Sequence, residues 1–363
     1  MFIFAKNNIF MIRLIILKPQ LLFILLISTL GLASCSTDVM LYEDYKDIPV
    51  VYGFINVNAD TNYVKITKAF CSNNDDPIDP FEAAMVYDSS NYPGKLDVFI
   101  DEMKSAHGEP FQYTGRRFFL DTVTIHKKQE GLFYSPHQML YYTTERFNAN
   151  QGNDKYRYQL SIVTPEYDTV TAETGIVAGN IAIATSEMFF TAEHTQNSSS
   201  LIFAPIDEAV VYEFGMQFHY REVHPGRPPV DKEVTWSYGM RTLDGYERIV
   251  GDYYKLYFSR NTLFDELKTA IGNDTVWDGN HPNVIRYVGD FYVLVSAAGE
   301  DFYTFYQFLQ SINHSLSQSV DYTNVHGGHG LFSSRVFLKK KVKMAPKTKH
   351  ELLSYHGWGF QEQ

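Results

Sequence analysis

The run Ile48-Pro49-Val50-Val51-Tyr52-Gly53-Phe54-Ile55-Asn56-Val57-Asn58, the turn residues Ala59-Asp60-Thr61-Asn62, and then Tyr63-Val64-Lys65-Ile66-Thr67-Lys68-Ala69-Phe70 decide the fold class. The first run is rich in β-branched and aromatic residues. In the second, Val64 and Ile66 alternate with Lys65 and Thr67, the period of a half-buried strand. Together they read as a β-hairpin. Downstream, Leu96, Val98 and Ile100 alternate with Asp97, Phe99 and Asp101 in the same way. Further strand patterns lie at 118–126, 138–144, 156–164, 169–174 and 181–185, separated by Gly- and Asn-containing turns. Seven or eight short strands without amphipathic helices between them predict an antiparallel β-sandwich of immunoglobulin- or transthyretin-like type over residues 48–190.

The polar run Thr191-Ala192-Glu193-His194-Thr195-Gln196-Asn197-Ser198-Ser199-Ser200 reads as a linker, and residues 200–363 as a second domain. Strand patterns at 209–221, 234–240, 253–258 and 285–297 are mixed there with two helices. The first spans 261–271, with Leu263, Phe264, Leu267 and Ile271 on one stripe, Ser259 as capping candidate and Gly272 as terminator. The second spans 300–312, where Phe302, Tyr303, Phe305, Tyr306, Phe308 and Leu309 nearly encircle the helix and predict deep burial. The chain as a whole is expected to be mainly β, with an α+β second domain.

Upstream of the hairpin, residues 1–34 carry Lys6, Arg13 and Lys18, an apolar core from 21 to 32, and Ala33-Ser34 immediately before Cys35. That is the pattern of a bacterial lipoprotein signal peptide. A 12-residue apolar core falls short of the roughly 20 residues needed to span hydrocarbon. Cys35 is therefore the expected lipidation site, and residues 35–47 the tether. Lipid chains add about 0.8 kcal/mol per buried methylene, so two or more of them hold a protein stably on a bilayer. Ser36, and not Asp, follows the cysteine, which favours the outer membrane, facing periplasm or cell surface.

Loss of the three leader cations would move the net charge from -11 to about -14. No basic stripe offsets this excess, which argues against nucleic acid as a partner. With Cys35 lipidated, Cys71 has no intramolecular partner, and it sits in a polar loop with no histidine near it in sequence.

His326-Gly327-Gly328-His329-Gly330 is the best metal candidate, yet two imidazoles are too few for a site, and the glycines point to a backbone role. Asp75, Asp76 and Asp79 form a calcium-friendly loop. The carboxylate pairs Asp75-Asp76 and Glu43-Asp44 read as solvated loops before they read as hydrolase acids. Tyr141-Tyr142 and Tyr253-Tyr254 place one ring of each pair on either face of a strand. Gly-x-Ser-x-Gly, His-Glu-x-x-His and the phosphate-binding loop are absent. No catalytic residue, metal or cofactor is assigned.

The lipobox, Pro49–Ile55, residues 62–70 and Tyr322-Thr323-Asn324-Val325-His326-Gly327-Gly328-His329-Gly330-Leu331-Phe332 together resemble uncharacterised surface lipoproteins of Bacteroidota-type bacteria. Those proteins carry a domain of unknown function and are often encoded near TonB-dependent outer-membrane receptors. The resemblance implies an outer-membrane lipoprotein without known enzymatic activity, and it transfers no active-site residue. The expected function is a lipid-anchored binding or accessory protein, with a receptor barrel, a glycan or a peptide as partner. A surface hydrolase whose acids meet only in three dimensions is the alternative.

Overall fold

The computed structural model describes residues 47–69, 90–126, 137–166, 168–194, 197–272, 275, 277–278, 281–314, 322–355 and 357–362. Cys35, Glu43, Asp44, Cys71, Asp75, Asp76 and Asp79 lie outside them. Residues 47–363 form one compact unit.

The protein is mainly β. The first half supplies β1 (Ile48–Ile55), β2 (Asn62–Ala69), β3 (Asp97–Ala106), β4 (Gln112–Phe119), β5 (Asp121–Ile125), β6 (Gln138–Thr143), β7 (Asp154–Val163) and β8 (Thr169–Gly175). Next come β9 (Ala182–Ile183), β10 (Glu187–Met188), β11 (Ser198–Ala204), β12 (Val211–Val223), β13 (Val230–Thr242), β14 (Glu247–Ile249), β15 (Tyr253–Ser259) and helix α1 (Thr262–Ile271). The remainder contains β16 (Trp277–Asp278), β17 (His281–Pro282), β18 (Ile285–Ala298), α2 (Glu300–His314), β19 (Val325–His326), β20 (His329–Met344), α3 (Pro346–Ser354) and β21 (Phe360–Gln361). The helix α3 and the long strand β20 had no counterpart in the sequence patterns.

The expected hairpin is present: β1 and β2 pair antiparallel, with Val51 opposite Ile66 and Gly53 opposite Val64. Val51, Ile55, Val64 and Ile66 point inward and Tyr52 and Tyr63 outward, as period-2 alternation requires. The ten-stranded sheet that holds this hairpin runs β13-β12-β18-β20-β1-β2-β6-β5, with β10 added to β20 and β21 to β18. A five-stranded sheet runs β19-β8-β7-β3-β4, and a four-stranded one β14-β15-β11-β9.

Two hydrophobic cores result. One joins Val51, Ile66 and Tyr141 of the large sheet to Ile100, Tyr158, Leu160 and Ala172 of the five-stranded sheet. The other gathers Phe203, Phe214, Phe218, Trp236, Leu267, Phe291 and Trp358. The sequence passes from one to the other at Ile176-Val177, upstream of the run at 191–200. Ser198–Ser200 of that run begin β11 and pair with β15. The large sheet also crosses between the halves, because β1 pairs in parallel with β20 from Val50–His329 to Ile55–Ser334.

Helix α1 buries the expected stripe Leu263, Phe264, Leu267 and Ile271, but its N-cap is Asn261 and not Ser259. Helix α2 departs from expectation: it is half-buried, with Leu309 42% exposed. Its aromatics cover one patch, Phe302 lying 5.7 Å from Phe54 and Phe305 6.2 Å from Tyr52. An aromatic ring around a helix does not require burial on all sides when Phe and Tyr can lie along a sheet face.

Candidate functional site

At the junction between the two cores, beside the parallel β1–β20 seam, one buried hydroxyl joins three segments. Ser334, 1% exposed, receives the Val177 N–H at 2.9 Å and donates to the Ile55 carbonyl at 3.1 Å, so β1, β20 and the crossing segment meet there. Immediately outside it, Gly299 N–H donates to the Ser334 carbonyl and the Gly299 carbonyl accepts from Tyr303, which starts α2. The chain turns sharply away from β18 and leaves a cleft beside the turn.

That cleft, about 540 Å³, is lined by β7 (Arg157), β8 (Glu173, Thr174), the turn at Glu208, the start of α2 (Glu300, Asp301) and Tyr322. Five segments far apart in sequence converge on it. Glu208 is one of three non-glycine residues with positive φ among the described residues, at +62°. Such a conformation costs about 1 kcal/mol or more and persists only where neighbours impose it. Lys155 bridges to both Asp207 and Glu208, the latter at 3.4 Å, and fixes this turn at the rim.

Asp301 is the most perturbed acid of the cleft. Burial raises its carboxyl above the usual carboxylate range and Glu300 adds repulsion, against the Tyr322 hydrogen bond, Arg157 and Thr174, which favour the anion. The Tyr322 hydroxyl donates to Asp301 Oδ1 at 3.2 Å. Burial and the same carboxylate push that phenol up to about 12. Arg157 is committed to Glu173 at 2.8 Å. The cleft therefore offers four carboxyl groups, a phenol and the hydroxyls of Thr174 and Thr304 against one guanidinium that is already paired. Such a lining suits a ligand that presents hydroxyls or a cation, and a carboxyl whose pKa is raised by burial can also move a proton.

The residues singled out in the sequence fall elsewhere. His326 and His329 are exposed and belong to a splice: β19 pairs with β8, and the next residues enter β20 along β1. Their glycines are the reason for the motif. A Cβ on Gly330, whose φ is +115°, would stand 2.0 Å from the Val51 carbonyl oxygen, and one on Gly328 2.6 Å from that of Pro49. Among the described residues no group of three or more His, Cys, Asp or Glu is placed to hold a metal. Tyr141 is buried, and its hydroxyl accepts the Leu96 N–H at 2.9 Å, whereas Tyr142 faces outward beside Tyr63 at 6.3 Å. Tyr254 packs on Phe203.

Of the four sequence segments that carried the resemblance to surface lipoproteins, the lipobox lies outside the described residues, and the described parts of the other three are neighbours in space: β1, β2 and the entry into β20. Asn324 closes that unit, its side chain accepting from Phe332 N–H at 2.9 Å and donating to the Phe332 carbonyl at 2.7 Å. No single stretch pointed to Asp301, Glu173 or Glu208; Tyr322 alone lay within a quoted motif.

Among the described residues no helix is long and apolar enough to cross a membrane. No protein-family model matches the chain, and comparison with curated proteins yields no match.

Proposed function

We propose that the protein is a lipid-anchored binding or accessory protein of the cell envelope, held through Cys35 at the outer membrane and facing the periplasm or cell surface. On this reading a loop-presenting sandwich of immunoglobulin or transthyretin type forms its first half, and its ligand is a glycan or peptide taken from beside a receptor barrel. The observation that carries the binding role is the convergence of Arg157, Glu173, Glu208, Asp301 and Tyr322 on one cleft where two cores meet, a preferred place for ligand sites. Its carboxyl-rich lining favours sugar hydroxyls or a cationic peptide over an anionic ligand.

The test is co-purification of the native-level, tagged protein from detergent-solubilised outer membranes, combined with Cys35→Ala and Asp301→Asn. The expected result is a receptor barrel at near-equal amount and a soluble or uncut Cys35→Ala form. A Cys35→Ala protein processed and membrane-held as before would overturn the anchor.

Asp301 also favours a second reading, a surface hydrolase in which it is the acid. Turnover of an envelope polysaccharide or peptide that disappears in Asp301→Asn while binding persists would replace the first reading by the second.

A further inference from the structure

Residues 335–350 contain seven Lys and Arg and no Asp or Glu, against 24 and 42 in the rest of the chain. Read along the sequence they form no stripe, but β20 sorts them by side. Arg335, Phe337, Lys339, Lys341 and Lys343 are exposed at every second position, while Val336 and Val342 between them are buried. At strand rise the five make a row about 27 Å long, with side chains about 7 Å apart. The expectation that no basic stripe offsets the acidic excess is thereby corrected: the folded strand builds one.

The neighbouring strand does little to neutralise this row. Directly opposite residues share a sheet face, and those opposite Arg335, Phe337, Lys339 and Lys341 are Ala298, Ser296, Leu294 and Tyr292 of β18. The Lys339 ammonium lies over the Tyr292 ring, 4.3 Å from its centroid, and keeps its charge. Asp290 pairs with Lys341 at 2.6 Å, and Lys343 has no acidic partner among the described residues. An exposed pair such as Lys341–Asp290 holds weakly and yields to a competing anion. Glu213 of β12 stands two strands away, opposite Ser296, and accepts from Ser237 at 2.8 Å. Where β20 ends, Lys341, Lys343 and Lys349 border an open groove of about 660 Å³ whose lining includes Val288, Phe291 and Met344.

We propose that this face of β20, with the groove at its end, docks on an anionic lipid surface. Charge complementarity carries the choice. Charges more than about 8–10 Å apart are largely screened at ordinary ionic strength, so acids elsewhere on the protein do not cancel the row where it meets a surface. Each lysine near an anionic leaflet adds to the attraction, and its stem can lie along apolar material while the ammonium stays among the headgroups. Phe337, 47% exposed between Arg335 and Lys339, and the apolar part of the groove suit the layer beneath those headgroups. A soluble acidic polymer would engage the lysines and leave both idle. This surface shares no residue with the cleft at Asp301 and does not depend on Cys35.

The experiment floats the full-length protein with phosphatidylglycerol vesicles and with phosphatidylcholine vesicles and takes the ratio of the two partition coefficients, so that any leader or lipid anchor, common to both, cancels. A ratio well above one is expected, collapsing at high salt. Lys339→Gln, Lys341→Gln and Lys343→Gln together should lower it about a hundredfold, roughly fivefold for each lysine. Lys95→Gln, Lys232→Gln and Lys268→Gln together, which remove the same charge elsewhere, should leave it unchanged. All six lysines are exposed, so neither variant endangers folding. Acetylation of the vesicle-bound protein, read by mass spectrometry, should find Lys339, Lys341 and Lys343 protected on phosphatidylglycerol alone. A ratio near one, or equal loss in the two triple variants, overturns the proposal. Protection of the three lysines by soluble alginate but not by phosphatidylglycerol also overturns it and assigns the face to an acidic glycan.

Discussion

Gly330 carries more of the architecture than any side chain in its motif. Its φ of +115° is open only to glycine, and the added methyl of alanine would overlap the Val51 carbonyl at the parallel seam between β1 and β20. Gly330→Ala should therefore cost well over about 3 kcal/mol, seen as loss of soluble protein or a large drop in urea midpoint, while His329→Ala should cost less than about 1 kcal/mol. Equal effects would show that the histidine, and not the backbone, matters. Asp301 gives the opposite sign. Its folded pKa is raised, mainly by burial, so its contribution to stability is complete below the unfolded value and is lost as pH rises through the folded one. Asp301→Asn removes a carboxylate disfavoured at neutral pH and should stabilise the protein at pH 7. The gain is below about 1 kcal/mol after allowance for partial exposure, and it should vanish near pH 3. Destabilisation at pH 7 would mean that the anion is needed to hold Tyr322.

At the scale of elements, buried charges mark where strands are pinned. Arg286 of β18 is fully buried. Its Nε donates to Glu222 of β12 at 2.9 Å, and its Nη1 donates to Thr275 and to the Trp358 carbonyl, each at 2.8 Å. One side chain thus ties β12 and β18 to the segment that leads into β21. Arg286→Met should cost about 3–5 kcal/mol, because it leaves the buried Glu222 carboxylate with His224 alone and the Trp358 carbonyl without this donor, and hydrogen exchange at 357–362 should rise with it. Burial alone would raise Glu222, but His224 and Arg286 outweigh it and hold the carboxyl below its usual range. That contribution is present above the unfolded pKa and lost as pH falls through the folded one, so Glu222→Gln should flatten the acid limb of the stability curve. Such pins were not legible in the sequence, where Arg286 stands within an ordinary strand pattern. The hairpin was legible, since a period of two needs only neighbours. The strand β20 was not legible, because three consecutive lysines, Lys339-Lys340-Lys341, interrupt any period-2 alternation of apolar residues. In fact Lys339 and Lys341 point outward, and Lys340 turns inward to donate to the Ile183 carbonyl at 2.5 Å. The cleft was illegible for the same reason as the pins: its groups come from β7, β8, the turn at Glu208, α2 and Tyr322, and only the folded chain brings them together.

For the molecule as a whole, the question is whether two cores behave as two folding units. They share a sheet: β20 pairs with β1 along its first part and with β18 along its second, so neither core keeps a complete large sheet without the other. The buried Ser334 hydroxyl ties Ile55 to Val177 across the same junction, where an unpaired N–H would cost about 1–3 kcal/mol. Coupling of this kind predicts one cooperative transition. All three tryptophans, at 236, 277 and 358, lie in the second half of the chain, so their fluorescence reports on that half, while far-ultraviolet circular dichroism reports on every strand. The two urea midpoints should coincide. Leu160→Ala, a cavity in the first core at a fully buried position, should cost about 2–5 kcal/mol and lower the fluorescence midpoint as much as the dichroism midpoint. If fluorescence held its midpoint while dichroism split into two steps, the halves would fold independently, and the parallel seam between β1 and β20 would be a docking contact instead of part of a common fold.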